Sequence, residues 1–297
     1  MRLLTVRHTT TYRYSEPVKL GEHRMMFRPR EGHDLRLLKA RVDITPQPAH
    51  LRYLHDVFDN SVGVVSFHGA TSELRFESVV RLEHFETALP DYPLEEFAEQ
   101  YPFSYSEEEL PNLTRALVQH YPSEEVKDWV GQFLHPSGAT GTMSLLRCMN
   151  LAIKEDFVYK RRTEKGVQNP TETLRTRRGS CRDFAVLMME AARSLGLAAR
   201  FVSGYIFVPG MDAPSVTGGG ATHAWMQVYL PGAGWIDFDP TNSIIGNRNL
   251  IRVAVAWDHK HVLPLWGTYV GKASSFLGMD VTVSVTEKTR AGAGGAS

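Results

Sequence analysis

Two cysteines occur in the 297 residues, and Cys181 has the surroundings of a nucleophile. It stands in the run Gly179-Ser180-Cys181-Arg182-Asp183-Phe184. From Phe184 the apolar residues Leu187, Met188, Ala191, Ala192 and Leu195 repeat at helical spacing until Gly196, where a left-handed cap is wanted. Ser180 and Asp183 have the S-x-x-D spacing of a capping box, which puts Cys181 on the first residue of a buried helix. At that position free N–H groups and the positive end of the helix dipole favour a thiolate. The same amides can hold the oxyanion of a tetrahedral intermediate. Arg177, Arg178 and Arg182 add positive charge, screened where they are exposed, and Gly179 lets the backbone approach closely. A small residue that merely starts a helix would satisfy the same pattern, so a base has to be found. Cys148 falls mid-helix between Leu145 and Ile153 and is expected to be a packing residue.

A thiolate nucleophile needs a base within hydrogen-bond reach and a third group to orient that base. Of twelve histidines, His223 has the best context. It follows Gly218-Gly219-Gly220 and opens an alternating strand that runs to Leu230. Pro231-Gly232-Ala233-Gly234 then turns the chain into Trp235-Ile236-Asp237-Phe238-Asp239, which Pro240 stops. A three-residue loop would set Leu230 opposite Gly234 and Trp225 opposite Asp239. His223 would then lie diagonally across from Asp239 on one face, about 7–8 Å away between Cα atoms. A loop of two or four residues would put the pair on opposite faces. Asp237 shares the parity of Asp239, and the pattern alone does not choose between them.

The other histidines have weaker contexts. His8, His23, His33, His50, His55, His68 and His84 lie in a β-rich region with no nucleophile beside them. His120 and His135 fall near loop or helix ends and are expected at the surface. His259 and His261 form an H-x-H pair, but no Cys or carboxylate cluster accompanies it, so no metal site is expected. H-E-x-x-H, Walker A and dinucleotide glycine patterns are absent, and no cofactor is expected.

The elements that must position these residues divide the chain. Residues 1–88 read as β: in Leu74 to Glu83 the apolar Leu74, Phe76, Val80 and Leu82 alternate with Arg75, Glu77, Arg81 and Glu83. Val6 to Tyr14, Leu37 to Ile44 and Val62 to Phe67 are strand-like too, and short strands at this spacing predict an antiparallel β-sandwich. Residues 89–111, rich in Pro, Tyr and Glu, read as a linker. A core over 112–290 follows, with helices predicted over Val126 to Leu134 (Ser123 as N-cap), Met143 to Phe157 and from Cys181. Strands are predicted over Ala199 to Val208, His223 to Leu230, Trp235 to Asp239, Arg252 to Trp257 and Met279 to Thr286. The small-residue tail 291–297 is expected to be disordered, and the three consecutive glycines of the loop Pro209 to Gly220 suggest mobility, with closure over the cleft left open by the sequence.

Thirty-three basic residues balance thirty-three acidic ones, which gives no reason to expect nucleic acid or an anionic membrane as partner. No stretch approaches the ~20 apolar residues of a membrane span, and no signal-peptide core is apparent, so a cytoplasmic location is expected. Nothing in the pattern indicates an oligomeric state.

Together, Thr176 to Phe184 (T-R-R-G-S-C-R-D-F), Ser203 to Tyr205 (S-G-Y), Thr222 to Trp225 (T-H-A-W) and Gly234 to Asn242 (G-W-I-D-F-D-P-T-N) resemble the core of bacterial transglutaminase-like proteins. The first ~85 residues are similar to the β-rich region that accompanies this core in many bacterial members. The resemblance implies an α+β fold, a papain-like core of helices packed on an antiparallel sheet. It makes Cys181 the nucleophile, His223 the base and Asp239, rather than Asp237, the orienter. Phe157-Val158-Tyr159 matches the family's F-x-Y, so Tyr159 is a candidate near the oxyanion or substrate cleft, with Ser180, Arg182 and Trp225 beside it. Ala256 to Pro264 departs from the family at Trp257, His259 and His261, none of them triad positions. The chemistry implied is acyl transfer through a thioester on a peptide or protein amide. Hydrolysis, as in a cysteine peptidase or amidase, is preferred over transglutaminase cross-linking, because a cytoplasmic cross-linker would threaten its own cell. The alternatives are a non-catalytic binding module and an assembly protein that works through the N-terminal region.

Overall fold

The computed structural model describes residues 1–86, 92–162, 166–209, 217 and 220–288. The glycine-rich loop 209–220 falls largely outside them, and the expected disordered tail entirely so.

Period-two burial organises the first 84 residues into β1 (Arg2–Met25), β2 (Leu35–Thr45), β3 (His50–His55), β4 (Ser61–Ser66) and β5 (Ala70–His84). In β5 the buried residues are Leu74, Phe76, Ser78, Val80, Leu82 and His84, with Arg75, Glu77, Arg81 and Glu83 between them. These strands do not form the two facing sheets of the expected sandwich. They belong to one seven-stranded sheet in the order β2-β5-β1-β4-β3. Its length lets β1 change partners. Arg2 to Arg13 runs in register with β5, the register shifts before Val18, and His23 to Met25 pairs β4. One continuous curled sheet results.

The segment that follows begins the second layer. β6 (Gln100–Tyr101) pairs β7 (Thr140–Gly141), with α1 (Leu110–Leu117) and α2 (Glu124–Gly131) between them. Ser123 caps α2 as expected, its hydroxyl accepting the Val126 N–H at 3.4 Å. α3 (Thr142–Asp156) buries Leu145, Leu146, Met149, Asn150 and Ile153. Cys148 is exposed, a correction to its expected packing role. At about 100° per residue, position 148 falls outside the arc those buried residues span. β8 (Val158–Tyr159) runs parallel to β9 (Arg178–Gly179), and α4 (Pro170–Thr176) lies between them. α1 and α4 were not anticipated, although Pro111, and Asn169 followed by Pro170, are start signals.

α5 (Cys181–Ser194) is the central helix, with every residue from Asp183 to Arg193 buried. It packs on a five-stranded antiparallel sheet built from β10 (Ala199–Ile206), β11 (His223–Leu230), β12 (Gly234–Asp239), β13 (Ile244–Ile245) and β14 (Leu250–Ala256). Ala224, Met226 and Val228 of β11 and Phe201 of β10 join the α5 side chains in one core. Near the helix end, Glu190 and Arg193 form a buried ion pair at 2.8 Å. Glu190 accepts the backbone N–H groups of His120 and Tyr121, each at 2.8 Å. Arg193 donates to the carbonyls of Ala116, Ala199 and Trp257. All the ionic valences are met inside the protein, which a buried pair requires.

The chain then returns to its beginning. β15 (Leu265–Val270) and β16 (Phe276–Glu287) both pair antiparallel with β1, so residues 265–287 complete the first sheet. Between the layers, Asn60 replaces a missing strand partner. Its side chain is fully buried and exchanges two hydrogen bonds of 2.9 Å with the backbone of Val255. His84 Nε2 meets the Leu250 carbonyl at 3.1 Å, and the Arg30 N–H donates to the Arg252 carbonyl at 2.9 Å. Among the described residues, no helix is long and apolar enough to cross a membrane.

Asn60→Ala strands a buried N–H and a buried carbonyl of Val255. It should lower stability by about 2 kcal/mol or more, read as the shift in urea unfolding midpoint. A shift below ~0.5 kcal/mol would mean that solvent satisfies those groups.

Candidate active site

Cys181 takes its position from the start of α5. Ser180 is extended, and the Asp183 carboxylate accepts its backbone N–H and its hydroxyl, both at 2.8 Å, closing the expected capping box. Asp183 is itself held by the Arg162 guanidinium at 2.9 Å and the Gln168 N–H at 2.6 Å. At Gly179 a Cβ would stand 2.9 Å from that of Asp183 and 3.0 Å from the Phe184 ring. The close turn into the helix therefore admits only glycine. Cys181 is buried, 6 % exposed, on the first helical residue, where backbone N–H groups have no helical acceptor.

The hairpin of β11 and β12 carries the partners. Leu230 pairs Gly234, as the three-residue loop requires, and the register runs on to Met226 opposite Phe238. His223 and Asp239 consequently share a face, and Nε2 lies 2.8 Å from Asp239 Oδ2 with both side chains fully buried. The carboxylate also accepts the Thr241 N–H at 2.9 Å and the Asn242 side-chain amide at 2.8 Å. Asp237, of equal parity, is occupied elsewhere: its Oδ1 accepts the Trp225 indole N–H at 2.6 Å and the Gln227 amide at 2.8 Å. The structure thus separates two carboxylates that the strand pattern leaves equivalent.

Electrostatics follow from this placement. Burial pushes the His223 imidazole down, but the Asp239 carboxylate and then Cys181 outweigh it and hold the group up at about 10. Burial pushes Asp239 up, while His223, Asn242 and the Thr241 N–H hold it below the usual carboxylate range. With Nε2 committed to Asp239, Nδ1 is the second nitrogen of the ring. It is buried and has no hydrogen-bond partner among the described residues.

The remaining expected residues divide. Trp225 is fully buried and stacks on His223, with ring centroids 6.0 Å apart and an interplanar angle of 28°, so it braces the imidazole. Tyr159, half-buried on β8, has its hydroxyl pushed up to about 12 by burial and then by Cys181, with Asp239 also acting on it. Its strand position pairs Gly179, two residues before the cysteine. Ser180 belongs to the helix cap. Arg182 points away: it donates to the His259 carbonyl at 3.1 Å and lies over the Phe201 ring. The H-x-H pair sits on a 3-10 turn rather than a strand, with His259 buried and His261 packed against Phe58.

Two contributors went unnoticed in the sequence. Asn242 supports Asp239 while exchanging two hydrogen bonds with the Thr217 backbone; its place in P-T-N, three residues after Asp239, was the available signal. Gly204 pairs His223, and a Cβ there would lie 2.2 Å from the Ile251 carbonyl oxygen and 2.7 Å from Trp225. Only glycine leaves room for the indole that braces His223.

The chain is similar to known proteins over most of its length. Residues 4–83 match the model of the bacterial transglutaminase-like N-terminal region, and residues 135–240 that of the transglutaminase-like superfamily. An uncharacterized protein of Mycobacterium tuberculosis (strain H37Rv) is 29 % identical over 295 residues, covering 94 % of this chain and 91 % of its own. One from Mycobacterium leprae is 26 % identical over 303 residues, covering 95 % and 98 %. A crystal structure of a candidate cysteine protease from Cytophaga hutchinsonii has the same fold. It superposes with a TM-score of 0.69 at 16 % identity, covering 97 % of this chain and 92 % of that one.

The raised His223 and lowered Asp239 predict a pH signature. A histidine raised on folding stabilises fully below its unfolded value of ~6.5, and the gain is lost as pH rises through the folded value. A lowered carboxylate stabilises above its unfolded value, and that gain is lost on acidification. Between pH ~6.5 and ~10 the wild type should therefore lose stability relative to Asp239→Asn, whose imidazole lacks the raising charge. Urea unfolding at several pH values checks this; parallel curves would contradict the buried pair.

Proposed function

This chain belongs to the transglutaminase-like superfamily, and from that premise we propose that it is a thiol acyl-transfer enzyme that cleaves amide bonds of peptides or proteins. The observation that carries the reading is the fully buried His223–Asp239 pair at 2.8 Å, which leaves Nδ1 of the same ring to serve Cys181. Structural pairs are common in proteins. One with a buried, unsatisfied imidazole nitrogen beside a helix-start cysteine is suited to proton transfer.

In this reading the Cys181 sulfur, its proton held by His223, attacks the amide carbonyl carbon. The carbonyl π electrons move to oxygen, and N–H groups at the start of α5 stabilise the oxyanion. The tetrahedral adduct collapses, the C–N bond breaks, and His223 Nδ1 gives its proton to the leaving amine. Asp239, with Asn242 and the Thr241 N–H, keeps the ring oriented and offsets the imidazolium charge. The thioester left on Cys181 is resolved by water, which His223 deprotonates, giving a carboxylic acid and the free thiol. An amine in place of that water would form a new amide, the transglutaminase outcome. Water is placed first because a general cross-linker is a hazard to the cell that makes it. Trp225, stacked on His223, and Tyr159, paired with Gly179 before Cys181, are the aromatic side chains assigned to the substrate cleft.

The test is to incubate the protein with a peptide panel bearing backbone and glutamine amides, in isotopically labelled water and with a fluorescent primary amine. Label in a new carboxylate, reduced at least ~10³-fold in Cys181→Ala and His223→Ala, is the expected result. Amine incorporation in its place would reassign the enzyme as a transglutaminase. Neither product from a folded wild type would contradict catalysis and favour a binding module.

A further inference from the structure

A cavity of about 510 Å³ lies between the first sheet's β1–β2 connection and the hairpin, away from Cys181. Arg30, Arg200 and Arg252 all line it, together with Gln227, Trp235 and Asp237. Like charges gathered in a partly buried space need counter-charges, and each guanidinium can be followed to its partners.

Arg30 donates to the carbonyls of Phe58 and Asp59 and to Asn60 Oδ1, with the Asp59 carboxylate 3.8 Å away. Arg252 lies 3.2 Å from Asp34 and 3.7 Å from Asp237. Glu31 is taken by the Leu37 N–H at 2.9 Å and by Arg28 at 3.8 Å. Arg200 is the exception. Its Nε donates to Gln227 Oε1 at 2.8 Å, and its guanidinium carbon lies 4.0 Å over the Trp235 ring. No carboxylate comes within ion-pair distance of it among the described residues. Asp237, the acid facing it, has Oδ1 filled by Trp225 and Gln227 and Oδ2 facing Arg252. Among the described residues, the two terminal amino groups of Arg200 thus keep four N–H donors with no protein acceptor, while the indole fixes the plane of the fork.

We propose that this cavity is a binding site for a small oxyanion-bearing ligand, a carboxylate or a phosphate, gripped by the free edge of the Arg200 guanidinium. A planar fork held at one edge presents two parallel N–H groups, the geometry that takes such an anion in bidentate fashion. Arg252 and Arg30, in the same lining, add long-range attraction. Burial and the Arg252 charge push Arg200 down to about 9, a cost that a bound anion relieves. The cavity exceeds the volume of a bare anion, so a small organic acid or phosphate ester fits. Its floor is wired to the triad: Gln227 links Arg200 to Asp237, and Asp237 holds the indole that stacks on His223.

The experiment is titration calorimetry and thermal unfolding of the full chain with inorganic phosphate, with succinate, and with sodium chloride at matched ionic strength. Saturable binding of phosphate or succinate is expected, with a rise in unfolding midpoint that chloride does not give. Arg200→Gln should abolish it. Arg200→Lys, which keeps the charge but not the fork, should weaken it on the order of tenfold. Arg41→Gln, on β2, should leave it intact. Stronger binding of phosphate than of succinate identifies a phosphorylated ligand, and the reverse order an organic acid. The proposal is overturned if neither anion binds the wild type saturably, or if affinity is unchanged in both Arg200 variants.

Discussion

The length of one turn governs this molecule. Pro231 to Ala233 set Leu230 against Gly234, and from that pairing His223, Trp225, Gln227, Asp237 and Asp239 all come to lie on one face of the hairpin. The opposite face, Ala224, Met226 and Val228, packs on α5. Since the side-chain period of a strand is two, a slip of one residue would exchange the faces and bury the wrong set. Gly232 makes the turn possible: its φ of +86° lies in the left-handed region, and a Cβ there would stand 2.7 Å from the Glu95 backbone nitrogen. The same register that unites His223 with Asp239 also aligns Gln227 with Arg200 on β10, so the His223–Asp239 pair and the arginine cavity are two ends of one polar face.

The cysteine side of the site is built by different means. Its helix is buried along almost its whole length, and a buried helix has to satisfy its ends internally. At the start, Asp183 gathers Ser180, Arg162 and the Gln168 N–H, which fixes the turn from which Cys181 projects. Near the end, Glu190 and Arg193 occupy loop and strand carbonyls and amides that would otherwise be stranded. Cys181 therefore sits on a rigid element packed on the sheet that carries His223, the arrangement the proposed nucleophile–base pair requires.

Local signals in the sequence were enough for the parts that touch the chemistry. The helix from Cys181, its capping box, its Gly196 terminus and the register of the hairpin all depend on residues within a few positions of one another. What escaped was non-local or concealed by composition. No pattern in β1 announces that it accepts β5 and β4, then β16 and β15, so two expected facing sheets are one curled sheet. Asn60 reads as a turn residue, and only the fold reveals it as a partner for Val255. Cys148 failed because a helical apolar run does not say how wide its buried arc is. Arg182 lies next to Cys181 in sequence, yet a neighbour on a helix points about 100° away, here toward Phe201. Choosing Asp239 over Asp237 needed the family's blocks, because parity is blind to which strand-end acid the imidazole reaches.

The central claim is that His223, oriented by Asp239, activates Cys181. The measurement that tests it most directly is the rate of Cys181 alkylation by iodoacetamide as a function of pH, read peptide by peptide so that exposed Cys148 serves as an internal ordinary thiol. An activated Cys181 should keep reacting below pH ~7, where an ordinary thiol of pKa ~8.5 is mostly protonated. That low-pH reaction should disappear in His223→Ala while Cys148 labelling is unchanged. Cys181 that follows the Cys148 profile in both proteins would contradict the account.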